Sequence, residues 1–175
     1  MALRDQYRTK CGGVLVLPPK TKEHLVAHSV VSDLLEEVAG LLELLRDGSF
    51  VAREVELSRV VGRSGCVSAT AVGLEGEANF ALRVGRRKAS RVAIGVEGPE
   101  ASTVVVLACA DKAVKGTYVL ITAYVGALAP KEPWDAAPGP EREASLAFWG
   151  SHALVWDPEV MGEPVTANWS AIING

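Results

Sequence analysis

The sequence predicts an α+β fold in which an N-terminal helix or helix pair packs on one face of a twisted antiparallel sheet. Three observations predict it. An apolar stripe with helical spacing lies within residues 21–46. Residues 50–126 then break into short segments rich in β-branched and aromatic residues, separated by glycines. A proline-rich stretch, 127–144, closes both patterns before a C-terminal segment, 145–175. With 175 residues and a hydrophobic fraction of 49%, the chain is read as a single domain, large enough to bury a core.

The first residues are polar and basic (Arg4, Arg8, Lys10) and lead into Val14-Leu15-Val16-Leu17, an edge strand or docked extended segment that Pro18-Pro19 ends. Leu34, Leu35, Val38, Leu41, Leu42 and Leu45 form one stripe of a helix, with Asp33, Glu36, Glu37, Glu43 and Arg46 on the other side. Ser32-Asp33 marks a start for that stripe and Asp47-Gly48 a stop. Leu25, Val26, Ser29 and Val30 add earlier helical turns, continuous with the stripe or separate from it. Strands are expected at 66–72, 79–84, 91–96, 103–108 and 117–125. Short breaks between consecutive strands favour antiparallel pairing. Prolines at 130, 133, 138 and 140 forbid a regular ladder or helix in the loop that follows. A short helix over about 142–150 leading into a strand, then an irregular end, completes the expectation.

The strand bounded by Gly116 and Gly126 carries the most informative polar residues. Thr122 and Tyr124 are two apart and share a face, which Tyr118 and Leu120 join and Thr117 does not if the strand is regular. That face is either solvated or the floor of a site.

Net charge is −3, so polyanion binding needs a local basic patch. One exists: Arg83, Arg86, Arg87, Lys88 and Arg91 fall within nine residues that contain no acid. Their guanidinium forks match phosphate oxygens in a bidentate way, and the alternative is a solvated hairpin tip. His24 and His28 share a helix face at i, i+4, but the sequence between them lacks the Glu of a zinc-protease motif. A general acid or base role suits them better than a metal site. His152 lies beside Phe148 and Trp149; Trp134 and Trp149 are candidate base-stacking platforms, with closure of the core under the proline-rich loop as the other reading of Phe148 and Trp149. Ser64-Gly65-Cys66 offers a nucleophile without a local base. Cys11, Cys66 and Cys109 show no metal-pair spacing and read as buried free thiols in a reducing compartment. Phosphate-loop, dinucleotide and nucleophile-elbow motifs are missing, so no metal and no cofactor is expected. With no apolar run of spanning length and no signal-peptide core, the chain reads as cytoplasmic and free of membrane contact.

Helix histidines, an Arg/Lys strand pair and the late strand Tyr118-Val119-Leu120-Ile121-Thr122-Ala123-Tyr124 together resemble the metal-independent nucleases of the barnase–EndoU–colicin–RelE group, over roughly residues 21–135. Glu132-Pro133-Trp134-Asp135 looks like the signature of a narrower family within such a group. The resemblance implies RNA cleavage by 2′-OH attack on the neighbouring phosphate, and, as for toxins of this kind, an inhibitory protein partner. It places His24 or His28 as base or acid, Arg83 and Arg91 on phosphate with Arg87 and Lys88 beside them, and Thr122 and Tyr124 as orienting or donating groups. Two other readings stand beside it: a non-catalytic nucleic-acid- or protein-binding module using the Arg-rich hairpin, and an oligomerisation domain.

Overall fold

A computed structural model describes residues 3–26, 29–43, 50–73 and 78–175. It divides into two compact units, each built from two separate stretches of chain: 1–63 with 100–128, and 64–99 with 129–175. Both mix helix and sheet, so the α+β class holds.

In the first unit, β1 (Gln6–Arg8) and β2 (Val14–Val16) form a hairpin, and α1 (Pro19–Val26) and α2 (Ser29–Leu41) follow as separate helices. Next come β3 (Phe50–Glu56) and the short β4 (Gly62–Arg63). The second unit contributes β5 (Cys66–Ser68), β6 (Ala78–Leu82) and β7 (Ala89–Ala93). The chain returns to the first unit for β8 (Glu100–Ala101), β9 (Thr103–Ala110) and β10 (Thr117–Val125). It ends in the second with α3 (Pro140–Ser151), β11 (His152–Val155), β12 (Val165–Ala167) and α4 (Trp169–Asn174).

The expectation of one antiparallel sheet over 50–126 is corrected. Those strands are shared between two five-stranded sheets, ordered β1-β2-β10-β9-β3 and β12-β6-β7-β11-β5, with β4 and β8 pairing separately. Each large sheet contains one parallel pair, β2 with β10 and β7 with β11. The C-terminal end is not irregular either: β12 pairs with β6, and Asn168 caps α4 by accepting from the Ala171 N–H at 2.9 Å.

The first unit's core follows the apolar periodicities. Leu25 of α1 and Val31, Leu35 and Val38 of α2 are buried with Val51 and Val55 of β3, Val104, Val106 and Ala108 of β9, and Tyr118, Leu120 and Ala123 of β10. Full burial of one such Leu contributes about 1.5–3 kcal/mol. At the end of the stripe Leu41 is exposed and Leu42 buried, and Leu45, Arg46 and the Asp47-Gly48 stop lie outside the described residues.

The buried positions of β10 expose a departure from regular alternation. Leu120 pairs with Ala108 and Thr122 with Leu107, leaving Ile121 as an extra, unpaired residue. This bulge changes the phase of the strand. Tyr118 and Leu120 face the core before it and Ala123 after it, so Thr122 and Tyr124 do share a face, but not with Tyr118 and Leu120. The buried Thr21 hydroxyl of α1 donates to the Leu120 carbonyl at the bulge, 3.2 Å away. Thr21→Val, which keeps the shape and removes the donor, is expected to cost about 0.5–1.5 kcal/mol in chemical denaturation.

Candidate functional site

The basic cluster forms the end of the β6–β7 hairpin. Arg83 makes an isolated bridge with Met161 just beyond β6, and Gly85 takes the turn with φ 77°, a conformation that favours glycine. The Arg86 N–H closes the turn on the Arg83 carbonyl at 3.0 Å. Arg86 and Arg87 are exposed and Lys88 half-buried, next to a Val84 that is 81% exposed.

Arg83 points elsewhere. Its Nη2 is paired with Glu132 Oε1, which also accepts from Ser90 Oγ at 3.0 Å. Trp134 Nε1 donates to Glu132 Oε2 at 3.2 Å. Glu132 is buried, at 6% exposure, so three donors from the hairpin and its own loop converge on one carboxylate. Burial holds its pKa above the ordinary carboxylate value, with Arg83, Ser90, Trp134 and, least, the charge of Arg86 opposing. Burial, and secondarily the Glu132 charge, pushes the Cys66 thiol up to about 11. Cys66 is therefore protonated at neutral pH and a poor nucleophile. Cys66 and Cys109 are half-buried, but Cys11 is exposed, against the expectation of burial for all three.

Arg91 is also committed. It is 7% exposed, and its Nη1 donates to the carbonyls of Trp149 at 3.1 Å and Gly150 at 2.5 Å. These are last-turn carbonyls of α3, a helix with no basic residue of its own there. Arg91 supplies both the missing donors and the favourable positive charge. Trp149 is buried at 3% exposure, and its Nε1 donates to the Pro130 and Lys131 carbonyls. Its ring offers no free face to a base, which corrects its reading as a stacking platform. Trp134 is half-buried and tied to Glu132.

The catalytic candidates fall in the first unit and the phosphate candidates in the second. His24 is exposed in the last turn of α1, and His28 lies outside the described residues. Thr122 and Tyr124 stand two apart on the face of β10 opposite Ala123, both half-buried. In the second unit His152 stacks on Phe148, with centroids 4.0 Å apart and rings nearly parallel, and its Nδ1 lies 3.0 Å from the Phe148 carbonyl oxygen. No group of three metal-ligating side chains is found among the described residues, and none of their helices is long and apolar enough to cross a membrane.

Two groups escaped the reading of the sequence. Glu132 is visible in the sequence only as part of a Glu-Pro-Trp-Asp string; an acid between Pro130 and Pro133, two residues before a Trp, is the signal that marks it. Trp169 sits near the chain end with no local pattern, yet packs edge-on against Phe80 with ring centroids 4.9 Å apart. No protein-family model, curated protein or solved structure matches this chain.

Proposed function

We propose that this protein is a nucleic-acid-binding module whose contact is the tip of the β6–β7 hairpin. One observation carries the reading: Arg87 and Lys88, beside the exposed Arg86 on a turn without an acid, have no ion-pair or hydrogen-bond partner among the described residues, whereas Lys10, Lys22, Arg59, Arg83 and Lys131 are paired with carboxylates and Lys112 and Lys115 share their turn with Asp111. Unpaired cations grouped on one turn suit a phosphate backbone, which takes charge without demanding a fixed geometry. With Arg86, Arg87 and Lys88 as the contacts, log K for a single-stranded RNA should fall with log salt at a slope of about −2, from about 0.7 per phosphate neutralised. The Arg87→Ala/Lys88→Ala double variant should weaken binding and reduce the slope by about 1.4. Fluorescence anisotropy with a labelled RNA measures both, and a slope unchanged in the double variant defeats the proposal.

A second reading, metal-independent RNA cleavage, draws support from the bulge at Ile121, which sets Thr122 and Tyr124 together on the strand face turned from the core. It keeps α1 and α2 as a helical layer on one face of the first sheet, and His24 as acid or base for 2′-OH attack. Incubating the same RNA in chelator separates the two. Cleavage that disappears in Tyr124→Phe and His24→Ala favours the nuclease; intact RNA with salt-dependent binding favours the module.

A further inference from the structure

A cleft of about 600 Å³ opens in the second unit, lined by Ala78 and Phe80 of β6, Arg91 of β7, Gly150 of α3, and Ala167, Asn168 and Trp169. Its size is that of small-molecule sites, which run from about 300 to 1,000 Å³. The register explains its make-up. Phe80 pairs directly with Arg91, and Ala78 with Ala167, so all four side chains leave one face of the sheet. The two alanines and Gly150 are small, which leaves room over the strands.

Arg91 contributes more here than its cap on α3 requires. Both hydrogen bonds of its guanidinium come from Nη1. Nε and Nη2 have no partner among the described residues, yet neither is a sealed, unsatisfied atom of the kind seen at Arg83 Nε. The residue is only 7% exposed and lines the cleft, so the Nε–Nη2 edge is the part left to face it. That edge carries two parallel N–H groups in the geometry that matches one carboxylate or phosphate. Beside it, the Trp169 indole is held in place. It meets Phe80 edge-on with an interplanar angle of 90°, and its Nε1 donates to the Trp149 carbonyl at 3.4 Å. Trp169 is only half-buried, so part of its ring surface stays open. A fixed aromatic face next to a desolvated, half-used guanidinium is preorganised for a ligand that is both flat and anionic.

We infer that this cleft binds a small planar-ring anion, the ring lying on Trp169 and the anionic group accepting from Nε and Nη2 of Arg91. The site is independent of the hairpin tip, whose cations are Arg86, Arg87 and Lys88. A mononucleotide and an aromatic carboxylate share the required chemistry. Tryptophan-fluorescence and calorimetric titrations with adenosine 5′-monophosphate and with indole-3-acetate separate the two sources. Ribose 5-phosphate tests the anion without the ring, and adenosine the ring without the anion. At least one of the two planar anions is expected to bind with Kd below about 1 mM, and the partial ligands about tenfold or more weaker. Trp169→Ala and Arg91→Lys should each weaken binding about tenfold. Ala78→Leu fills the cleft without touching the α3 cap and should do the same in a protein whose unfolding curve is unchanged. Failure of both planar anions to bind the wild-type chain overturns the inference. So does binding that survives Trp169→Ala and Ala78→Leu, or ribose 5-phosphate binding as tightly as the mononucleotide.

Discussion

Arg83→Met is expected to destabilise the second unit by about 3 kcal/mol at neutral pH, the low end of the 3–5 kcal/mol typical of a broken buried ion pair. The low end applies because the Arg83 side chain is still 30% exposed, while Glu132 is only 6% exposed and loses its one paired cation. Ser90 and Trp134 continue to donate to the carboxylate but carry no charge, and the Arg86 charge that remains is the least of the opposing influences. The penalty should depend on pH with a definite sign. Burial already raises the Glu132 pKa above its ordinary value of 4.5, and Arg83 is the main influence holding it down. Without Arg83 the folded-state value rises further. A carboxyl with a raised folded pKa keeps its proton in the native state where the unfolded chain has lost it. Stability therefore falls as pH climbs from the ordinary carboxylate value to the folded one. The deficit of Arg83→Met relative to wild type should be small near pH 4.5 and widen as the pH is raised. Adding Glu132→Gln removes the stranded charge and should recover more than half of the loss. All four tryptophans, Trp134, Trp149, Trp156 and Trp169, belong to the second unit, so urea unfolding followed by their fluorescence reads this unit alone. A deficit under about 1 kcal/mol at every pH would mean that solvent already screens the pair.

The Arg83–Glu132 pair also shows where sequence reasoning stops. A cluster of cations is visible as letters, but its partners are not: Glu132 is 49 residues from Arg83, and the carbonyls that occupy Arg91 are 58 and 59 residues away. Two of the five cations read as a phosphate clamp are thereby committed within the fold, leaving Arg86, Arg87 and Lys88 at the tip. The existence of β5, β6, β7, β9 and β10 is legible for the same reason that their partners are not. Periodicity and β-branched content report which face is apolar, whereas β3 finds β9 across three intervening strands of the other large sheet, β5, β6 and β7, and the separate β4 and β8. The leucine stripe of α2 was legible because helical periodicity is local, and Leu35 and Val38 are fully buried as it requires. On β10, one unpaired residue sufficed to move Thr122 and Tyr124 to the face opposite Leu120, because a period of two cannot absorb an insertion without inverting. Trp169 and the cleft it borders had no local signal at all: the three-residue β12 and the short α4 are held by tertiary contacts.

Gly98→Ala is the single added carbon expected to do most damage, about 3 kcal/mol or more, at or beyond the upper end of ordinary overpacking. A Cβ there would lie 1.7 Å from the Ser64 carbonyl oxygen and 2.8 Å from its carbon. The reason is space and not backbone conformation, since Gly98 is not among the glycines with positive φ. Both parties to the clash are main chain, so no rotamer change relieves it. One segment must move by more than an ångström, and each is pinned. The Ser64 N–H donates to the Pro99 carbonyl at 2.9 Å, and Ser64 Oγ accepts from the Cys66 N–H at 3.1 Å at the entry to β5. Immediately beyond, Arg63 pairs with Glu100 and Gly62 with Ala101. The shift therefore costs hydrogen bonds as well as contacts, about 1 kcal/mol for each one lost. Gly150→Ala supplies the opposite case. It lies within α3 with nothing inside 4 Å of the added carbon, and should stabilise by about 0.5–1 kcal/mol through helix propensity. Both changes report through the same tryptophan unfolding curve, one downward and one upward. If Gly98→Ala unfolds within about 1 kcal/mol of wild type, the crossing of the two segments has slack and the steric argument fails. From the sequence, Glu97-Gly98-Pro99 is only a break between strands. In the fold its glycine is the point at which residues 64 and 98 pass too closely for any side chain.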